Sequence, residues 1–519
     1  MRRFNPKPLL WISGIPVLIA LVYFPWGLLN HQIELVLHDT EAMQGFVGNL
    51  PEVLTGVLGF TVSVVAIVVQ LAADRFTPKV TDLFLRQPVN LAVFIYLIFA
   101  VLVSLWTTLL FASEEKPVLL VLLNLATSSL AFGILIPYFA YVFRFLQPAS
   151  IIEKIDGQVR QCIHRFNCLP APRRTHALTS IHGQALYGIA ELKTIAANAI
   201  QQRESPIVLL ALDSLKNLAI FYVNTKYKID PKWFSLTLPI YRDPDFVSMD
   251  EEKLKEIEAQ NIWLELKILR EYQAILSDSL NNYREACYII GINTRELVER
   301  GFRLHSQDLV HLGVKFFNTY LRAIINKSDV RTGYNLLKQY RLVAQSALYH
   351  QDFDTCTEIA QNLRYYSLIC YKAGLLFLCE TIAFDLGELT ELACQQQLIP
   401  LTEQLLDIML KIDQDPESEQ QENSLRGIRK SQSKLAAYFL RKNHRYLAQR
   451  IFEDMSHEPK GRLRVIEDEL LNTRADFWEF TDRGDNFYYV KPELRPFVVE
   501  FFTWFVGHPQ PIAVENRPL

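Results

Sequence analysis

The chain has 519 residues, half of them hydrophobic, and a formal net charge of −3. A balance so close to zero excludes an extended nucleic-acid surface, which needs clustered positive charge, and the length implies about two to four domains. The average conceals an asymmetry: residues 1–149 hold 8 Lys or Arg and 8 Asp or Glu, leaving 45 and 48 for residues 150–519. The first part has membrane composition and the second soluble composition.

Four apolar segments, about 9–29, 53–73, 89–112 and 117–146, are long enough to span, since about 20 residues cross the hydrocarbon core. The first is too long for a signal-peptide core and no small-residue cleavage site follows it, so it reads as an anchor. Arg2, Arg3 and Lys7 precede it, while the first loop has Glu34, Asp39 and Glu41 and no cation. Arg75, Lys79 and Arg86 lie in the second loop, Glu114, Glu115 and Lys116 in the short third, and Arg144, Lys154, Arg160 and Arg165 follow the fourth span. This alternation predicts both termini in the cytoplasm. All seven cysteines lie at or beyond Cys162, without a close C-x-x-C pair, which fits a reducing compartment on the same side.

In the second span, Gly56, Gly59, Ser63, Ala66 and Gln70 recur at spacings of three and four and so share one face. Small residues let helices approach closely in lipid, and a glutamine amide can hydrogen-bond across the contact. The face reads either as packing inside one four-helix bundle, which is preferred, or as a pore-lining stripe in an oligomer. Asp74 and Arg75 fall at the expected interface, and Phe76-Thr77-Pro78 ends the helix because the residue before proline avoids the α region. Thr77 is placed to cap a new helix starting at Pro78. That helix would turn Val80, Leu83 and Phe84 to the membrane or the bundle and either bring Lys79 and Arg86 to lipid phosphates or serve as a simple solvated connector. In the fourth span Asn124, Ser128 and Ala131 share a face suited to interhelical bonding, and Pro137 predicts a kink. No span has an ionised residue near its centre, which weakens a proton relay or an ion-coupled carrier.

The stretch VAIVVQLAADRFTPKV, residues 65–80, resembles the signature of an uncharacterised family of bacterial predicted membrane proteins, a domain of unknown function. In that pattern an apolar helix runs into Q-L-A and then F-[ST]-P-[RK]-V; Gln70, Leu71, Ala72, Phe76, Thr77, Pro78, Lys79 and Val80 match it. The intervening Asp74-Arg75 is charged where the family is often uncharged. Near the end, FWEFTDRGDNFYYV, residues 477–490, resembles the W-E-x-T-D-R-G-x-N-F-x-Y stretch of longer members. The resemblance implies a bacterial inner-membrane protein and no particular activity.

From Ser150 onward apolar residues recur at helical spacing almost to the end. Ser150–Glu153 is a capping box directly after Pro148; Ser248–Glu251 is a second, expected to open one long helix to about Asn282; and Asn293–Glu296 starts another. Residues 189–222, 340–371 and 434–455 read as helical hairpins with turns near 203, 351 and 443, and those three turns show no fixed period. Asp413–Asn423 is an acidic, mobile loop dividing two helical lobes.

Candidate chemistry is sparse. His176 and His182, His305 and His311, and Cys162 and Cys168 are six apart, a spacing that does not put two ligands on one helix face. Asp413, Asp415, Glu417 and Glu419 alternate like a calcium loop but lack its glycine. Ser431 and Lys434 satisfy S-x-x-K without companion motifs, so they read as a solvated helix start. The aromatic tail is more suggestive. Trp478, Asp482, Arg483, Gly484 and Asn486 form a turn flanked by rings, read as a docking surface for a partner or the membrane interface, or, in preference, as a cap closing the helical stack.

The expected fold is all-α. A four-helix transmembrane bundle, 1–149, precedes a large cytoplasmic helical domain of irregular stacked helix pairs: a lobe at 150–412, the acidic loop at 413–424 and a C-terminal lobe with the aromatic tail at 425–519. The expected function is that of an inner-membrane, non-enzymatic scaffold for interaction or sensing, with no cofactor and no metal. Its expected partners are the lipid bilayer and not nucleic acid, with a homo-oligomer and a cytoplasmic protein partner left open. The rival is an oligomeric channel or transporter, the second span lining the path and the cytoplasmic domain gating it. A membrane-tethered enzyme with an unrecognised site is the third reading.

Overall fold

The computed structural model describes residues 40–111, 118–280, 282–412, 419–475, 482–484 and 486–506. The expected first span, Trp478 and residues 413–418 of the acidic loop lie outside them. Every regular element among the described residues is helical. The chain divides into two compact units, residues 1–157 and 158–519.

In the first unit, α1 is Thr40–Arg75, α2 Lys79–Leu85, α3 Pro88–Phe111 and α4 Val118–Phe145. Helices α1, α3 and α4 each contain a stretch long and apolar enough to cross a membrane, matching the second, third and fourth expected spans. Helix α1 starts at Thr40, ahead of the expected span, and runs through Pro51. Helix α3 packs against both α1 and α4. Leu54, Leu97, Ala100 and Ala131 form the buried centre. Polar groups join the helices. Asn124 donates to the Ser104 hydroxyl at 3.4 Å, Ser128 donates to Asn124 at 3.2 Å, and Thr108 donates to the Val47 carbonyl at 3.0 Å. The interhelical role expected of this face is therefore present at Asn124, while the Ser128 bond stays within α4.

The second unit is a two-layer helical stack. A fifth helix, α5 (Pro148–Cys168), leads into it, followed by α6 (Ala171–Gln201), α7 (Ser205–Thr225), a short α8 (Leu238–Tyr241), α9 (Glu251–Ala259) and α10 (Trp263–Ser279). Then come α11 (Arg284–Arg303), α12 (Gln307–Asn326), α13 (Val330–Tyr349), α14 (Phe353–Lys372), α15 (Leu376–Gln395) and α16 (Ile399–Leu410). The last are α17 (Glu419–Arg441), α18 (Arg445–Met455), α19 (Lys460–Asn472) and α20 (Arg495–Thr503). Helices α7, α11, α13, α15 and α17 pack side by side in one layer; α6, α10, α12, α14, α16 and α18 form the other. Helix α7 is also apolar enough to span, within Ser205–Lys228. Its Val208, Ala211, Leu212, Leu215, Leu218 and Tyr222 are buried in this stack, as befits a helix flanked by α6 and α11.

One turn type builds the stack. Arg203, Asn261, His305, Ser328, Gln351, Gly374, Gln397 and Asn443 all have positive φ, between 52° and 72°. In each case the next residue donates its N–H to the carbonyl five positions back, at 2.8–3.2 Å. This is the Schellman closure of a helix by a left-handed residue. The turns at 203, 351 and 443 are the three expected hairpins. The absence of a period is corrected, because the turns at 305, 328, 351, 374 and 397 fall every 23 residues. The cause is mechanical: α11 to α15 are each 20 residues long and are joined by three-residue links. The stack is irregular only ahead of α11 and around α16.

Three expected helix starts are also corrected. Helix α5 begins at Pro148, so Ser150 lies inside its first turn rather than capping it; proline is favoured at a first helical position. The single helix expected from Ser248 to Asn282 is two, because the left-handed turn at Asn261 closes α9 before α10 starts. Asn293 sits in the middle of α11, where its amide donates to the Leu212 carbonyl at 3.3 Å and the Tyr272 hydroxyl at 3.2 Å. Its side chain serves tertiary packing, not a cap.

Candidate functional site

The small-residue face of α1 is open. Gly56, Gly59, Ser63, Ala66 and Gln70 are all exposed, and a Cβ on either glycine would meet nothing within 4 Å. The face of α1 that is buried is Leu54, Thr61, Val65 and Val69. Packing of the small-residue seam inside the bundle, the preferred expectation, is thus not what the described helices do.

The junction below it is folded back on the unit. Gln70 donates to the Asp74 carboxylate at 3.0 Å, and the Arg75 guanidinium lies 5.3 Å from the Phe76 ring. Phe76 and Thr77 are buried, and the Thr77 hydroxyl accepts from the Lys79 N–H at 3.3 Å just ahead of α2, whose cap position is Pro78. Pro78, in the α region, precedes the helix. Val80, Leu83 and Phe84 are buried, and Phe84 packs edge-on to Phe145 at 5.5 Å. The apolar side of α2 therefore faces the bundle, leaving Arg86 exposed and Lys79 half-buried.

The tail turn is bound to its own stack. Arg483 has no exposed side-chain surface, and its guanidinium grips Asp385 on α15 with two parallel bonds, 2.7 and 3.2 Å. It also donates to the Tyr334 carbonyl and lies 4.3 Å from the Tyr334 ring. Arg341 approaches the same carboxylate at 3.2 Å. Asp482 accepts from Asn335 at 2.8 Å, and this bond with the nearby Arg331 holds its carboxyl below the usual range. Gly484 has φ +71°, a conformation that favours glycine and turns the chain outward again. Asn486 donates to the Arg474 carbonyl at 3.0 Å. Phe487 stacks on Phe384 with centroids 4.2 Å apart, and Lys434 donates to its carbonyl at 2.9 Å.

Docking the tail creates a cleft of about 480 Å³ between α15, α17 and residues 484–494. Glu388 and Glu391 stand on one wall; Lys434 and Arg441 on α17, with Lys491 of the tail, supply the cations. Burial, reinforced by Glu388, pushes Glu391 up to about 7 against the pull of Lys434, Lys491 and Arg441. Sequence reasoning did not single out Glu391, Arg441 or Lys491. It noted Ser431 and Lys434 as S-x-x-K, and both do line the cleft. Ser431 donates to the Ala383 carbonyl at 3.1 Å and Lys434 to Phe487, so each is held by backbone rather than paired for nucleophilic chemistry.

Two further polar clusters are internal. His182 is wedged between Trp233 and Trp263, ring centroids 4.8 Å away in each case, with one ring nitrogen 2.9 Å from the Thr237 hydroxyl. Burial lowers it to about 4 despite an opposing backbone bond at Trp233. Lys267 is buried among Asp243, Asp245 and Glu271 at 2.9, 2.6 and 2.8 Å. Among the described residues no group of three or more His, Cys, Asp or Glu is arranged to hold a metal ion.

Residues 3–207 match the family model described as "Predicted membrane protein (DUF2254)". This is the resemblance read from residues 65–80, and with the apolar helices it fits a membrane location. No curated protein matches the sequence. A solved "circular tandem repeat protein with novel repeat topology and enhanced subunit contact surfaces" is similar at a TM-score of 0.33 and 12% identity, over 90% of this chain and 95% of that one.

Proposed function

We propose that this DUF2254-matching membrane protein is a scaffold for interaction or sensing, held in the bacterial inner membrane with its second unit in the cytoplasm. The two-layer stack with its 23-residue turn spacing supports this reading most strongly, because stacked helix pairs provide extended surfaces for partners. The test is photo-crosslinking in native cells from Tyr349 and Tyr365, which are 64% and 50% exposed. The scaffold reading expects one defined protein adduct; no adduct from either position overturns it. Orientation is tested with Cys168, the exposed thiol among the seven cysteines. An impermeant maleimide should label it only after the cells are permeabilised.

A second reading, an oligomer lining a path with α1, is favoured by one observation: the Gly56–Gln70 face is uncovered among the described residues. The chain has no cysteine before Cys162, so in a Cys168→Ser background, which removes the exposed thiol, Ser63→Cys reports on this face. A disulfide-linked dimer on mild oxidation in membranes supports the oligomer, and its absence removes it.

A further inference from the structure

The cleft beside the tail has opposite charges on facing walls that do not close on one another. Glu391 makes no hydrogen bond or ion pair among the described residues, whereas Glu388 already has Arg341 at 3.4 Å. Among the described residues Arg441 pairs with Glu493, at 3.9 Å. Carboxylates and cations that collapse together leave no space; here about 480 Å³ remains between them.

A second observation points into the same space. Tyr438 lines the cleft and is 4% exposed, yet its hydroxyl makes no hydrogen bond of acceptable geometry, although the Gln395 amide lies beside it. A buried hydroxyl is more stable with a hydrogen-bond partner than without one, and this one lines the cleft. Burial and the charge of nearby groups, Glu391 among them, push this phenol up to about 12, so it stays protonated and is able both to donate and to accept.

We propose that this cleft binds a small amino-dicarboxylic acid, its ammonium on Glu391 and the Tyr438 oxygen and its carboxylates on Lys491 and Arg441. One unpaired carboxylate faces two cations besides the tethered Lys434, namely Arg441 and Lys491, so the complementary ligand has one positive group and two negative ones. A simple dianion would leave Glu391 unmatched, and a simple cation would leave the opposite wall unmatched. Charge-assisted hydrogen bonds at both ends are the strong kind. Because the cleft is completed by the docked tail, ligand occupancy would tie the tail to α15 and α17. The inference deepens the sensory half of the function proposed above and rests on it.

The experiment is calorimetric titration of the full-length protein in lipid nanodiscs with L-glutamate, glutarate and 4-aminobutyrate. L-Glutamate is expected to bind saturably and more tightly than either analogue. Glu391→Gln and Tyr438→Phe should each weaken it by about tenfold or more. Lys491→Gln, at an exposed position, should do likewise without disturbing the fold. A denaturant melt of each variant verifies that it is folded. No binding of L-glutamate at millimolar concentration overturns the proposal, as does glutarate binding equally well. Neither result touches the crosslinking test of the scaffold.

Discussion

Asp385 is the residue on which the tail depends. It is fully buried, and two guanidinium groups, Arg483 and Arg341, converge on it from different parts of the chain. Removing one partner of such a group leaves the other charges buried and uncompensated, which costs about 3–5 kcal/mol. Asp385→Ala should therefore lower the denaturant midpoint by that equivalent and make residues 482–494 accessible to protease. Unchanged stability would mean the tail is not clamped. His182 makes a different prediction. Burial depresses its pKa to about 4, while the unfolded chain has the ordinary value near 6.5. The unfolded state thus binds more protons between those values, and stability falls as pH drops from about 6.5 toward 4, by about 3 kcal/mol in full. Denaturant melts across that window should show the slope, and His182→Phe should flatten it.

At the scale of the element, the turns decide the architecture. A left-handed conformation costs a non-glycine residue about 1–2 kcal/mol, and Gln351, Gln397 and Asn443 all adopt it. Glycine there removes the strain but adds unfolded-state entropy, so Gln351→Gly should stabilise by at most about 1 kcal/mol. Gly374→Ala, at φ +72° with open space around it, should destabilise by about 1 kcal/mol. Equal melts for both variants would contradict the assignment of these turns. The same turns explain what was and was not readable from sequence. Helix pairs were evident from apolar periodicity, and three turns were located to the residue. The 23-residue spacing was missed because His305 and Gln397 are not turn residues by composition; tertiary packing imposes their conformation. The seam on α1 shows a related limit. Periodicity put Gly56, Gly59 and Ser63 on one face correctly, but α1 is apolar on both sides, so spacing alone did not say which side the bundle covers. The cleft was illegible for a simpler reason. Glu391 and Lys434 are brought together only by layer packing and a tail clamp, neither of which leaves a local pattern.

At the scale of the whole molecule, apolar helices fit for a membrane precede a helical stack sealed by its own C-terminal segment. The aromatic tail, read from sequence as either a docking patch or a cap, has its described rings turned inward: Phe487 on Phe384, and Phe501 buried among Phe502, Trp504 and Phe505. The functional proposal gives the spans the role of an anchor and the stack the role of the working surface. The measurement that separates this from the path-lining alternative is planar-bilayer recording of the purified full-length protein. The anchor account predicts no unitary current at any voltage or ligand concentration. Reproducible single-channel currents that change with Gln70→Leu would contradict it.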